Sequence, residues 1–196
     1  MKPIAFEEIK NIYDYEKGRA DFRAMVINQK KVRRIHLGDK MTLVFENRNS
    51  VLFQIQEMIR VERIISDDAM KHEVDAYNVL VPGTNELSAT LLIDINDPAL
   101  IKPVLDSLVG LNKDCFFITI GDRRFLATFD EGQAEDDRIS AVQYLKWRLD
   151  EEAIKTFADP KQTVSLVCTH PNYSFEVALS PDTRAALLRD LTESEA

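Results

Sequence analysis

Glycine is scarce in this chain of 196 residues, only six in all, and the scarcity removes whole classes of function. A loop that cradles phosphate needs several glycines at fixed spacing, and no such spacing occurs here. Cysteine is scarcer still: Cys115 and Cys168 are the two, each within an apolar, strand-like run. No Cys-x-x-Cys pair is present, so neither a dithiol redox motif nor a cysteine-rich zinc site can be assembled from sequence. The serine signatures Gly-x-Ser-x-Gly and Ser-x-x-Lys are missing too. No run approaches the roughly 18 apolar residues of a membrane span. Positive charge is the minority sign, with 25 Lys and Arg against 33 Asp and Glu and a net charge of −8. That balance argues against nucleic acid or an anionic membrane as the main partner. Residues 29–34 are locally basic and read as a helix end meeting a strand. Residues 1–4 lack the apolar stretch of a secretory leader. Two thiols within apolar runs suit a reducing compartment, so the expected location is the cytoplasm.

What the chain has is an ordinary globular composition, 45% hydrophobic and 30% charged, which suffices to bury a core without disulfides or metals. Helical spacing predicts helices over residues 13–30, 51–65, 69–80, 98–110, 138–157 and from Pro181 onward. Residues 32–36 and 41–46 flank Leu37-Gly38-Asp39 and read as a hairpin, as do 116–120 with 124–129 and 163–169 with 173–179. Residues 87–95 add a strand, 130–137 an acidic linker, and 192–196 a frayed tail. About seven short strands, mostly in hairpins, with about six helices between them lack strict β-α-β alternation. The expected fold is therefore α+β, a single compact domain of antiparallel hairpins. A subdivision near residues 96–112 is the alternative organisation.

The most informative segment is residues 51–65. At ~100° per residue, Val51, Ile55, Met58, Ile59, Val61 and Ile65 share one apolar arc, and Gln54 and Glu62 fall inside it. Gln56, Glu57, Arg60 and Arg63 collect on the opposite, wetter side. The next helix repeats the anomaly, with Glu73 in the middle of an arc of Ala69, Met70, Val74, Ala76, Tyr77 and Leu80. A carboxylate facing a core is costly unless paired. Arg19 and Arg23, four residues apart on one helix face, are the nearest cations by this reading. A network of Arg19, Arg23, Gln54, Glu62 and Glu73, with Glu57, Arg60 and His72 at its rim, is expected. Three readings of it stand: buried salt bridges that fix helix register, a site for a small polar ligand, and catalysis by paired carboxylates.

Metal chemistry finds little support. Di-iron carboxylate helices need Glu-x-x-His, but Arg60 follows Glu57 at that spacing and Ala76 follows Glu73. Asp68 with His72, and Cys168 with His170, each supply two ligands at best, and zinc asks for three or four. No flavin, haem or cluster motif is present, and no cofactor is expected. Trp147 and Tyr144 share a predicted helix and read as buried core or an interface anchor.

Three strings together resemble a known family: Tyr15, Gly18 and Arg19 through Phe22 and Arg23 to Arg33-Arg34-Ile35-His36-Leu37-Gly38; Phe45-Glu46-Asn47 with Gln54 to Arg60; and Glu86 to Leu91. They resemble an uncharacterised bacterial family, a domain of unknown function. Its members are often encoded beside rubrerythrin-like proteins and iron–sulfur oxidoreductases of the heterodisulfide-reductase type. The resemblance implies no catalytic residues. It implies a setting: a cytoplasmic accessory to redox defence that serves an iron–sulfur or rubrerythrin-like partner and carries no electrons itself. A homodimer is one assembly open to such an accessory protein.

Overall fold

The computed structural model describes residues 1–130 and 138–192, and the predicted acidic linker falls almost wholly outside them. A short 3-10 turn, Phe6–Glu8, precedes α1 (Ile12–Lys31). Then come β1 (Arg34–Leu37), β2 (Met41–Phe45), α2 (Arg48–Val61), α3 (Asp67–Asn78) and β3 (Glu86–Ile93). The second half holds a 3-10 turn, Pro98–Leu100, α4 (Ile101–Ser107), β4 (Phe116–Ile120), β5 (Arg123–Leu126), β6 (Thr128–Phe129), β7 (Val142–Arg148), α5 (Glu151–Ala158), β8 (Val164–His170), β9 (Tyr173–Ala178) and α6 (Pro181–Thr192). All pairings are antiparallel, and the fold is α+β.

The strands form two sheets, one in the order β1-β2-β3-β7-β6 and one in the order β5-β4-β8-β9. Strand side chains alternate between faces, so Leu43, Phe45, Leu91, Leu145 and Trp147 from the first sheet meet Phe116, Ile118, Leu166 and Cys168 from the second in one core. Phe116 bridges the sheets, 6.1 Å from Trp147, 6.2 Å from Phe129 and 5.6 Å from Phe175 between ring centres. Ala153, Phe157, Leu187 and Leu191 of α5 and α6 fill the same core, as do Leu108 and Leu111 after α4. Residues around 104–111 thus pack on the core shared by both sheets.

The sheets are joined at both lateral edges. On one side the chain passes from β5 to β6 at Ala127, whose N–H still donates to Phe116 O at 2.9 Å, so one run of chain serves both sheets. On the other, the Tyr173 hydroxyl of β9 donates to Leu37 O at 2.6 Å and accepts from Lys40 N at 2.9 Å. That latch grips the β1–β2 turn, where Gly38 has φ +73°.

Residues 138–157, expected as one helix, are a strand and then a shorter helix. Gln143, Leu145, Trp147 and Leu149 are buried while their neighbours are half-buried or exposed, a period of two. The apolar set Val142, Leu145, Leu149 and Ala153 mimics helical spacing, but Asp150 caps α5 by accepting from Ala153 N at 2.8 Å. Arg123 holds the same carboxyl down to about 2, mainly through its hydrogen bonds. The helix expected over 98–110 is a 3-10 turn and the seven-residue α4. In α6, Ala185 is exposed and Leu188 half-buried, while Ala186, Leu187 and Leu191 carry the packing.

A Cβ placed on Gly38 would run into the Tyr173 hydroxyl in a left-handed backbone region. Gly38→Ala is expected to lose about 2 kcal/mol of stability, and Tyr173→Phe about 1 kcal/mol. In urea unfolding the double variant should lose less than the sum, because both substitutions break one latch.

Candidate functional site

With one face of the first sheet committed to the core, its other face carries polar groups. On β3 the outward residues are Glu86, Ser88 and Thr90, and the register sets Ser88 opposite Lys146 and Thr90 opposite Tyr144 of β7. Glu46 follows β2 directly and is 4% exposed. Its carboxylate accepts from Thr90 Oγ1 at 2.8 Å and from Ser50 Oγ, with Lys30 Nζ 3.9 Å away. Ser50 and Asn47 also cap α2 reciprocally, each side chain accepting from the other's backbone N–H at 2.9 Å. The α2–α3 layer lies over this face with its own apolar cluster of Ile4, Val51, Ile55, Ile59, Met70, Val74 and Leu80, against which Tyr144 packs.

Two cavities open along this layer. One, of about 300 Å³, lies between the end of α3 and strands β3, β6 and β7, and Leu80, Ser88, Thr128, Tyr144, Leu145 and Lys146 are among its walls. Burial, then neighbouring Tyr77, Glu46 and Asp130, raise the Tyr144 phenol above its ordinary range. The other, of about 330 Å³, lies among Gln29, Arg33, Asn47, Arg48, Arg189 and Asp190. Its floor is a buried bidentate pair: Arg33 Nη1 and Nη2 donate to Asp190 at 2.5 and 2.8 Å, across 157 residues of chain.

The expected acid cluster forms differently. Glu57, read from sequence as a rim residue, is the half-buried carboxylate that meets Arg19. Arg19 Nε and Nη2 donate to its two oxygens at 2.7 and 2.8 Å, and Tyr15 Oη donates at 2.8 Å. Arg60 pairs with Glu16 at 2.5 Å, and Phe22 meets Phe53 at 5.7 Å. Numbers rise along α1 as they fall along α2, so the helices are antiparallel, and α1 covers the side of α2 expected to be wet. Gln56 is buried for the same reason, bonding both Lys10 N at 2.8 Å and Lys10 O at 3.1 Å.

Glu62 is exposed at the C-cap of α2, because the helix stops at Val61 and the chain turns through Arg63 at φ 53°. The arc drawn to Ile65 therefore overran the helix: Val61 is 61% and Ile65 83% exposed. Gln54 and Glu73 are half-buried, and Arg23 and His72 are exposed. Among the described residues none of Arg23, Glu62 and Glu73 forms an ion pair.

No group of three or more metal-ligating side chains gathers among the described residues. His170 is buried and its Nε2 donates to Val109 O at 3.1 Å, which withdraws it from Cys168. Cys168 neighbours Cys115 in the core; that contact and burial push the Cys115 thiol up. No helix among the described residues is long and apolar enough to cross a membrane. Sequence reasoning missed Glu46, Ser88, Tyr144 and the Arg33–Asp190 pair. The outward register of β3 and β7 could have flagged Ser88 and Tyr144, but β7 was read as helix, and Glu46 stands just past the end of β2.

Fold and site together define an antiparallel two-sheet α+β protein with a polar layer beneath a helical cover. The chain belongs to the family described as protein of unknown function (DUF3501), whose model matches residues 3–191. It is similar to a crystal structure of a novel protein of unknown function from Burkholderia pseudomallei, with TM-score 0.89 and 30% identity over 97% of this chain and 100% of that one. No curated protein matches the sequence.

The Glu57 carboxyl is held below its ordinary range, first by the Arg19 hydrogen bonds and then by that from Tyr15. A depressed folded pKa means that its stabilisation is full above the unfolded value and is lost as pH falls through the folded one. Glu57→Gln should therefore lower stability by about 1–3 kcal/mol at neutral pH and flatten the stability–pH curve below about pH 4. Thermal melts from pH 2 to 7 read both effects.

Proposed function

We propose that this protein is a non-catalytic accessory protein that docks a redox partner of the iron–sulfur or rubrerythrin-like type through α1. The observation that carries the reading is the poor coverage of that helix. Of the 20 residues of α1, only Tyr15 and Val26 are buried, while Tyr13 is 74%, Ile27 42% and Met25 40% exposed. A surface helix normally buries one full stripe. Here the stripe facing α2 is largely ionic and the outer side keeps apolar residues in water. The antiparallel register also brings Tyr13 to the end of the pair where Val61 and Ile65 are exposed. Scattered apolar residues need no explanation, but several on one poorly covered element suit an interaction surface.

Charge supports an acidic partner. In a chain of net charge −8, α1 carries Lys17, Arg19, Arg23, Lys30 and Lys31 against Asp14, Glu16 and Asp21. The Arg19–Glu57–Tyr15 contact is, on this reading, a clamp that fixes α1 on α2. The redox setting itself comes from the family resemblance.

Tagged protein purified from its native host should bring down an iron–sulfur oxidoreductase or a rubrerythrin-like protein, identified by mass spectrometry. A Met25→Glu/Ile27→Glu variant should lose that capture while its melting temperature stays close to wild type, since both positions are exposed. Recovery of neither partner class defeats the proposal. Capture that survives the double variant defeats the assignment to α1, and a dimer lost in the same variant by sedimentation would make the occupant a second copy.

A further inference from the structure

We propose that the cavity between β3, β7 and the end of α3 is a binding site for a small, mainly apolar molecule that bears one uncharged hydrogen-bonding group. Its volume of about 300 Å³ lies at the lower end of small-molecule sites. Val79 and Leu80 give it apolar side chains, while Leu145 and Phe129, also along its wall, turn theirs to the inter-sheet core.

The decisive group is Ser88. It lines the cavity, is 1% exposed, and its Oγ has no hydrogen-bond partner. Buried hydroxyls are ordinarily satisfied, and an unsatisfied one is a net cost to the folded state. Its neighbours on the same face show how readily the problem is solved, since Thr90 and Ser50 both donate to Glu46. Ser88 is two residues from Thr90 on the same strand face but gains no bond to that carboxylate. An alanine there would be the better residue for stability alone. Trp147 Nε1 shares the lack of a partner, but it lies in the dry inter-sheet core and lines neither cavity described above.

The polar groups around Ser88 set the chemical class. Tyr144 presents a phenol that makes no hydrogen bond among the described residues and keeps its proton, which makes it a donor. Thr128 adds a hydroxyl at the wall. Lys146 is no free anion receptor, because its ammonium is spent on Glu86 at 2.6 Å. Glu46, on the same sheet face, and Asp130, which lines the cavity, make the surroundings negative. A carboxylate or phosphate is therefore repelled, while a neutral N–H, hydroxyl or carbonyl finds both an acceptor and donors. No residue of α1 lines this cavity, so the inference does not rest on the docking reading.

Indole is the probe: uncharged, flat, with one N–H to donate to Ser88 Oγ, and small enough for the space. Isotope-edited NMR titration should give saturable shifts at Ser88, Tyr144 and Lys146, and indole-3-acetate should bind at least tenfold more weakly. Ser88→Ala should raise the melting temperature of the free protein and weaken indole binding about fivefold to tenfold. That opposed pair of effects is one that a purely structural serine would not produce. Leu80→Trp should fill the space and abolish the shifts, with Val79→Trp as the replacement if the first variant does not fold. No saturable binding by wild type, undiminished binding by Ser88→Ala, or undiminished binding by the filled variant overturns the proposal.

Discussion

The packing of Phe116 against Trp147 is the contact on which the rest of the architecture depends. One ring comes from each sheet, and both are fully buried. Because a strand alternates its faces, fixing Trp147 inward also fixes Gln143 and Leu145 inward and Tyr144 and Lys146 outward. The same constraint passes through the β3–β7 register to place Ser88 and Thr90 on the outer face. A one-residue slip would exchange the two sets entirely. The polar layer under the helices is thus a consequence of how the aromatic core is seated, and so is the cavity it contains.

Much of the fold could be read from the sequence where local signals agree. The turn at Gly38, the Pro181 helix start and the paired apolar runs around residues 116–129 and 164–178 each carry turn chemistry beside the right period. The β7–α5 region failed because two periods fit the same letters: residues 142, 145, 149 and 153 suit a helix, and 143, 145, 147 and 149 suit a strand. Gln143 decided the misreading, since an amide is a poor candidate for a core position, yet it is 0% exposed. Asp150 was the available counter-signal, a cap residue in the middle of a supposed helix.

The candidate site was legible in kind but not in place. That an acid on α2 meets Arg19 follows from the chemistry of two facing helices, but the choice of Glu57 over Glu62 depends on which side of α2 faces α1. A single helical wheel assumes one buried face, whereas α2 is covered on two sides, by α1 and by the sheet. It also assumes that the helix lasts as long as the apolar pattern, and α2 stops at Val61. The Arg33–Asp190 pair, joining chain positions far apart, leaves no local trace at all.

The ion pairs of the helical layer and the hydroxyls of the sheet face play opposite parts. Arg19 with Glu57, Arg33 with Asp190 and Glu46 with Thr90 and Ser50 are closed circuits, each donor matched to an acceptor. Such circuits resist change, because removing one member strands a charge in low dielectric. Ser88 and Tyr144 lie beside them without that closure, within a layer otherwise able to satisfy every buried polar atom it contains. On the outer face of the sheet, the buried hydroxyl without a partner is the one that borders a cavity, and its missing partner comes from outside the chain. The closed pairs tie α1 to α2 and α6 to the chain that follows α1, and none of their members lines the cavity at Ser88.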